Sequence, residues 1–253
     1  VLLSGVNSIN WARIMAQTVY YFTTALALGA PDRKVDFCVP TGNFGDVFAG
    51  HVARHMGLPV GDLVVATNIN DILHRTMETG RYEVLGVEAT LSPSMDIQVS
   101  SNFERLLFEA CGKDAAHLST LMAGLKQSGS FTLSDDMRDY ISTGFASGRT
   151  GEAETADIIR TTLAETGELL DPHTAVGYGV ARTRARQDVP MVTLATAHPA
   201  KFPDAVEAAC GVRPALPERL GDLMQRRERF DVLANDLPAV KQFILERTQA
   251  GKN

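Results

Sequence analysis

Four short stretches of the chain bring together residue types that can do chemistry. The first is Cys38-Val39-Pro40-Thr41-Gly42-Asn43-Phe44-Gly45-Asp46, which leads from an apolar run through a glycine-bearing turn into a helical pattern. Glycines let the backbone take positive φ and turn its N–H groups inward, and the helix that follows presents unpaired N–H groups and a partial positive charge. A phosphate can bind there without lysine or arginine. The same shape also serves as a plain tight connection, and Asp46, a carboxylate in the first helical turn, would repel an anion.

The second stretch is Ala195-Thr196-Ala197-His198-Pro199-Ala200-Lys201-Phe202. It follows an apolar run, and ligands of open parallel sheets gather at the carboxyl ends of the strands. Thr196 offers a hydroxyl that can donate or accept. His198 reads first as a turn histidine, and Lys201 as a solvated one. In the third, Asn10, Arg13 and Gln17 fall on one polar helix face, which could grip an oxyanion near a helix amino terminus or could simply be solvated. In the fourth, Asp171-Pro172-His173-Thr174, either Asp171 or His173 reads as a helix cap.

The elements that must position these groups follow from hydrophobic periodicity. Ser8 to Leu28 carries apolar residues near helical spacing, with Asn7 or Ser8 placed to cap its start and Gly29 and Pro31 to end it. Three short apolar runs, at 35–40, 63–67 and 191–196, read as buried strands, and helical patterns follow the first two. Strand, helix and strand in alternation predict a parallel sheet covered by helices, so the fold class is α/β, doubly wound and mostly parallel. Two amphipathic helices between Asp96 and Gly129 interrupt the pattern as an insertion near 96–145. The expected division is a large α/β domain over 1–212 and a helical tail over 213–253. The charged run Gln225 to Arg229 in that tail reads as a solvated face.

Composition excludes several classes. A chain of 253 residues can build a core without disulfide or metal staples. Its 45% hydrophobic and 21% charged residues, with a mean hydropathy of −0.03, are those of an ordinary globular protein. The net charge of −6 lacks the uniform basic footprint of a duplex binder. No apolar run is long enough to span a bilayer. Cys38, Cys111 and Cys210 show no metal-ligand spacing and read as reduced thiols of a cytoplasmic protein.

Six stretches resemble threonine synthase of the bacterial and fungal type. They are Ser8 to Arg13, Pro40 to Asp46, Ser92 to Ile97, Ser100 to Arg105, Asp171 to Ala175 and Ala195 to Phe202, in the family's order and spanning nearly the whole chain. The resemblance implies a pyridoxal-phosphate enzyme of fold type II, the two-domain fold of tryptophan synthase beta chains. Its reaction, a carbon–oxygen lyase step, converts O-phosphohomoserine and water into threonine and inorganic phosphate. It also implies roles residue by residue. Gly42, Asn43, Phe44, Gly45 and Asp46 form the loop around the cofactor phosphate, Thr196 is the hydroxyl opposite the pyridine nitrogen, and Asn10 and Arg13 hold the substrate phosphate.

One part of the family pattern is missing. The lysine that forms the Schiff base lies in a short Phe-Lys-Asp type context, and none of Lys34, Lys113, Lys126, Lys201, Lys241 and Lys252 has it. That lysine is therefore expected upstream of Val1, where the sequence opens without a methionine. The expectation is a carboxy-terminal part of the enzyme whose partner is the missing amino-terminal segment, with neither nucleic acid nor membrane as a partner. Two other readings stay open: a phospholyase acting on another phosphorylated amino compound, and a non-catalytic ligand-sensing module.

Overall fold

The computed structural model describes residue 5 and residues 7–248. Val1, upstream of which the Schiff-base lysine is expected, lies outside the described residues. One compact unit spans Asn7–Pro214, and the residues from Ala215 onward belong to a second. The first is organised around a four-stranded sheet of β1 (Val35–Pro40), β2 (Val60–Thr67), β5 (Phe145–Arg149) and β6 (Met191–Thr193), in the order β5-β2-β1-β6. Every adjacent pair is parallel, with Cys38 opposite Val64 on one side and Thr193 on the other. The predicted α/β class and the parallel neighbourhood of the three apolar runs are both observed.

Alternation along the strands sends side chains to two different cores. Phe37, Val39, Leu63 and Val65 pack with Ile14 and Tyr21 of α1 (Trp11–Ala27) and with Val47 and Ala49 of α2 (Gly45–His55). Cys38, Val64 and Ala66 pack instead with Val176, Val180 and Ala181 of α8 (Pro172–Arg184). Helices thus cover both faces, and the runs at 35–40 and 63–67 are apolar at nearly every position because neither face of their strands meets water. The three cysteines are unpaired, and burial pushes the Cys38 thiol up to about 12, which leaves it inert.

Between β2 and β5 the chain builds α3 (Ile72–Thr79), β3 (Arg81–Glu83), α4 (Phe103–Ala110), α5 (Ala115–Ser128), β4 (Ser130–Thr132) and α6 (Asp135–Ser142). The two amphipathic helices expected here are α4 and α5. The antiparallel β3–β4 pair has no counterpart in the sequence reading; it is three residues long on each side, held by Tyr82 stacked on Phe131 with centroids 4.8 Å apart. After β5 come α7 (Glu152–Thr166), α8, and α9 (Pro203–Cys210). The second unit holds two short 3-10 turns and α10 (Leu237–Arg247).

Three differences from the sequence reading have local causes. The first helix begins at Trp11, capped by Asn10, because Asn7 closes a turn of its own by accepting from the Ile9 and Asn10 amides through its side chain and carbonyl. The third run leaves the sheet after Thr193, so Thr196 lies three residues beyond the strand. The sheet's fourth strand, β5, lacks the apolar run that marked the others. Val180 of α8 approaches so closely that a Cβ on Gly148 would lie 2.5 Å from it, and large side chains are excluded there.

Candidate active site: a backbone cup at the strand ends

A cavity of about 530 Å3 opens at the carboxyl ends of β1 and β6. Its lining includes Gly42 to Asp46, Thr196 and Arg13, which the sequence reading had placed in three separate stretches. Asn10 is not among the lining residues; its side chain accepts from the Ala12 amide and caps α1. Gln17, from the same helix face, does line the cavity.

The cup is held open from behind. The Ser100 hydroxyl donates to the Gly42 carbonyl at 2.7 Å, and Asn102 donates to the Asn43 carbonyl through both its amide N–H (3.1 Å) and its side chain (2.9 Å). In a planar trans peptide the C=O and the following N–H point in opposite directions. Two carbonyls drawn toward the 100–102 segment therefore turn the Asn43 and Phe44 amides away from it, toward the cavity. Among the described residues no side chain caps α2, and no protein acceptor takes the amides of Gly42 through Asp46.

Phe44 completes the turn in the left-handed region at φ 63, a conformation that costs a non-glycine residue roughly 1–2 kcal/mol. Burial of its ring, 5.2 Å from Phe103 and 5.7 Å from Phe145 between centroids, offsets that cost and locks the turn. Gly42 has no room for a side chain, since a Cβ there would lie 2.6 Å from the Ser94 carbonyl oxygen. A ring of inward amides at an uncapped helix start can hold an anion.

Asp46 modulates it. Burial pushes its carboxyl up to about 6, with the Tyr21 hydroxyl and the Arg13 charge pulling the other way. Because the folded value exceeds the unfolded one of 3.8, the bound proton stabilises the fold fully below about pH 4, and that contribution is lost as pH rises through about 6. The same deprotonation places a negative charge in the cup. Sulfate, whose charge is constant over this range, should therefore bind more weakly as pH rises through about 6. Asp46→Asn should flatten that profile in calorimetric titrations, and an unchanged profile would remove Asp46 as its cause.

Several lining residues had no role in the sequence reading. Ser94 and Met95 lie in a stretch that resembles the family but carries no expected role, and His173 is one of the two residues expected to cap a helix. The cap is in fact Asp171, which accepts from the His173 and Thr174 amides. The His173 ring donates from Nδ1 to Asp171 at 2.9 Å and accepts the Ser94 amide at Nε2 at 3.1 Å. Burial works against the Asp171 carboxylate, yet the bonds from His173 and Thr174 hold its pKa below the usual range. The dyad thus anchors the 92–96 loop over Gly42. His198 is the turn histidine expected, accepting the Ala200 amide. Lys201 is exposed and also lines the cavity.

Comparison with known proteins points to threonine synthases. The family model described as "Threonine synthase, C-terminal" matches residues 174–244. A threonine synthase of Pseudomonas aeruginosa is 53% identical over 252 residues, covering 99% of this chain and 54% of its own length. One from Corynebacterium glutamicum is 44% identical, with 96% and 52% covered. The crystal structure of a PLP-bound threonine synthase from Brucella melitensis superposes with a TM-score of 0.92 at 64% identity, covering 95% of this chain and 52% of that one. The yeast enzyme gives 0.86 at 37% identity, with 98% and 54% covered. The chain spans about half the length of the curated relatives it matches.

Proposed function

Because the chain belongs to the threonine synthase family, we propose that it carries the cofactor-phosphate cup of an enzyme converting O-phosphohomoserine and water into threonine and inorganic phosphate. The observation that carries this reading is the cup itself: amides turned inward by Ser100 and Asn102, with no space for a Cβ at Gly42. Such a cup fits the phosphate of pyridoxal 5'-phosphate, and the cavity is of a size that holds a small cofactor with its substrate.

In this reading the amides of Gly42, Asn43, Phe44, Gly45 and Asp46 bind the cofactor phosphate. When bound, pyridoxal phosphate supplies an electron sink for charge developing on the substrate carbons. Thr196, which lines the cavity, would offer a hydroxyl to the pyridine nitrogen; unlike a carboxylate, a hydroxyl would not force a proton onto that nitrogen, which would suit β,γ chemistry. Arg13 binds the substrate phosphate, with Asn10 acting through the helix end that it caps. The lysine that anchors the cofactor and moves protons belongs to a part of the enzyme upstream of Val1. Residues 1–212 make the cofactor-binding domain and 213–253 its tail, in a cytoplasmic enzyme of fold type II.

The test is turnover by the complete protein. It should release phosphate and threonine stoichiometrically from O-phosphohomoserine, and Arg13→Ala should raise KM more than it lowers kcat. Lyase activity on a different phosphorylated amino compound would replace the substrate assignment. Tight cofactor binding without turnover of any such compound would replace the enzyme by a sensor.

A further inference from the structure

The carboxy-terminal half of α2 carries His51 and His55, one helical turn apart and on one face. Glu109 of α4 meets them: its Oε2 lies 2.8 Å from His51 Nε2, and the two imidazole centroids are 4.3 Å apart. One ligating atom from each of the three lies within 4.8 Å of the others. None of the three lines the cup cavity. We propose that His51, His55 and Glu109 form a binding site for a divalent cation of the zinc class, which clips α2 to α4.

Two imidazoles and one carboxylate are the donor set that zinc, cobalt and nickel favour over magnesium or calcium. Small side-chain movements suffice to place them about 2.0–2.2 Å from a common centre. His55 is exposed and free to swing. The His51 side chain is 7% exposed, and with Nε2 on Glu109 its Nδ1 is left buried with no hydrogen-bond partner. That incomplete bonding is unusual for a buried side chain and is what a ligand to an additional group would show. Tyr140 donates to the Glu109 carboxylate at 3.0 Å, the outer-shell bond that orients a ligating carboxylate. A cavity of about 560 Å3 lined by His51, His55 and Tyr140 gives a route for entry and room for a water as the fourth ligand. Arg54 borders that cavity, but its guanidinium is held by the carbonyls of Gly61 and Gly144 and is balanced by Asp62.

The complete protein, stripped with a chelator and titrated with Co2+, should take up one ion per chain and develop visible ligand-field bands that Zn2+ displaces. Zn2+ should also raise its melting temperature. His55→Ala, at an exposed position that keeps the fold, and Glu109→Gln should each weaken binding by about tenfold or more, and Tyr140→Phe by roughly 10–100-fold. Absence of stoichiometric uptake, or uptake that His55→Ala leaves unchanged with circular dichroism showing a native fold, would overturn the assignment.

Discussion

Gly42→Ala should weaken pyridoxal phosphate binding by the complete protein about a hundredfold or more. The added methyl would sit 2.6 Å from the Ser94 carbonyl oxygen, a contact that only backbone movement can relieve. The 92–96 loop cannot give way easily. The Ser94 amide is tied to His173, Met95 is 2% exposed, and Asp96 accepts from Asn68, Asn70 and Thr90. The cup must move instead, which breaks the Ser100 bond to the Gly42 carbonyl and swings the Asn43 amide off the phosphate. Hydrogen bonds to a charged group contribute roughly 1.5–3 kcal/mol each, so misplacing two accounts for the expected factor. Equilibrium dialysis against the cofactor measures it, with Gly124→Ala as a control, since a Cβ there meets nothing nearer than 3.5 Å. Undiminished affinity in a folded Gly42→Ala protein would remove the phosphate from this loop.

Expressed alone, the 253-residue polypeptide should form no specific lysine adduct with pyridoxal phosphate and should not turn over O-phosphohomoserine. Among the described residues, Lys201 is the lysine that lines the cavity, and it makes the expectation a sharp one. Its Nζ lies 5.7 Å from the Phe202 ring centroid, within the segment that follows β6 rather than in the context of the family's anchoring lysine. On the proposed assignment, the cofactor would then be held only through its phosphate and Thr196, without the lysine that would move protons between the substrate carbons. Borohydride reduction followed by peptide mapping is the measurement. A single stoichiometric adduct at Lys201 would make it the anchoring residue and undo the alignment with the family. Scattered substoichiometric labelling is the expected pattern, with activity returning only when the remainder of the enzyme is supplied.

Much of this architecture was legible because it is encoded locally. The runs at 35–40 and 63–67 are apolar at nearly every position because both faces of their strands are covered, and that alone marks a buried parallel strand. The glycine turn at 42–45 announces close backbone approach, since the structure leaves no space for a Cβ at Gly42. Asp171 and His198 act on amides two or three residues away, so their roles as caps are written in adjacent positions.

Only the tertiary structure decided what depends on chain path. Which way the cup amides point is set by Ser100 and Asn102, nearly sixty residues downstream, and nothing in the spacing of two glycines carries that information. His173 reaches Ser94 across 79 positions, and His51 reaches Glu109 across 58. The strand β5 was invisible because its composition answers to Val180 of α8 rather than to its own place in the sheet. Periodicity records which side of an element is buried; it does not record which partner buries it. The partner is settled when the sheet order β5-β2-β1-β6 closes and brings distant segments to one edge.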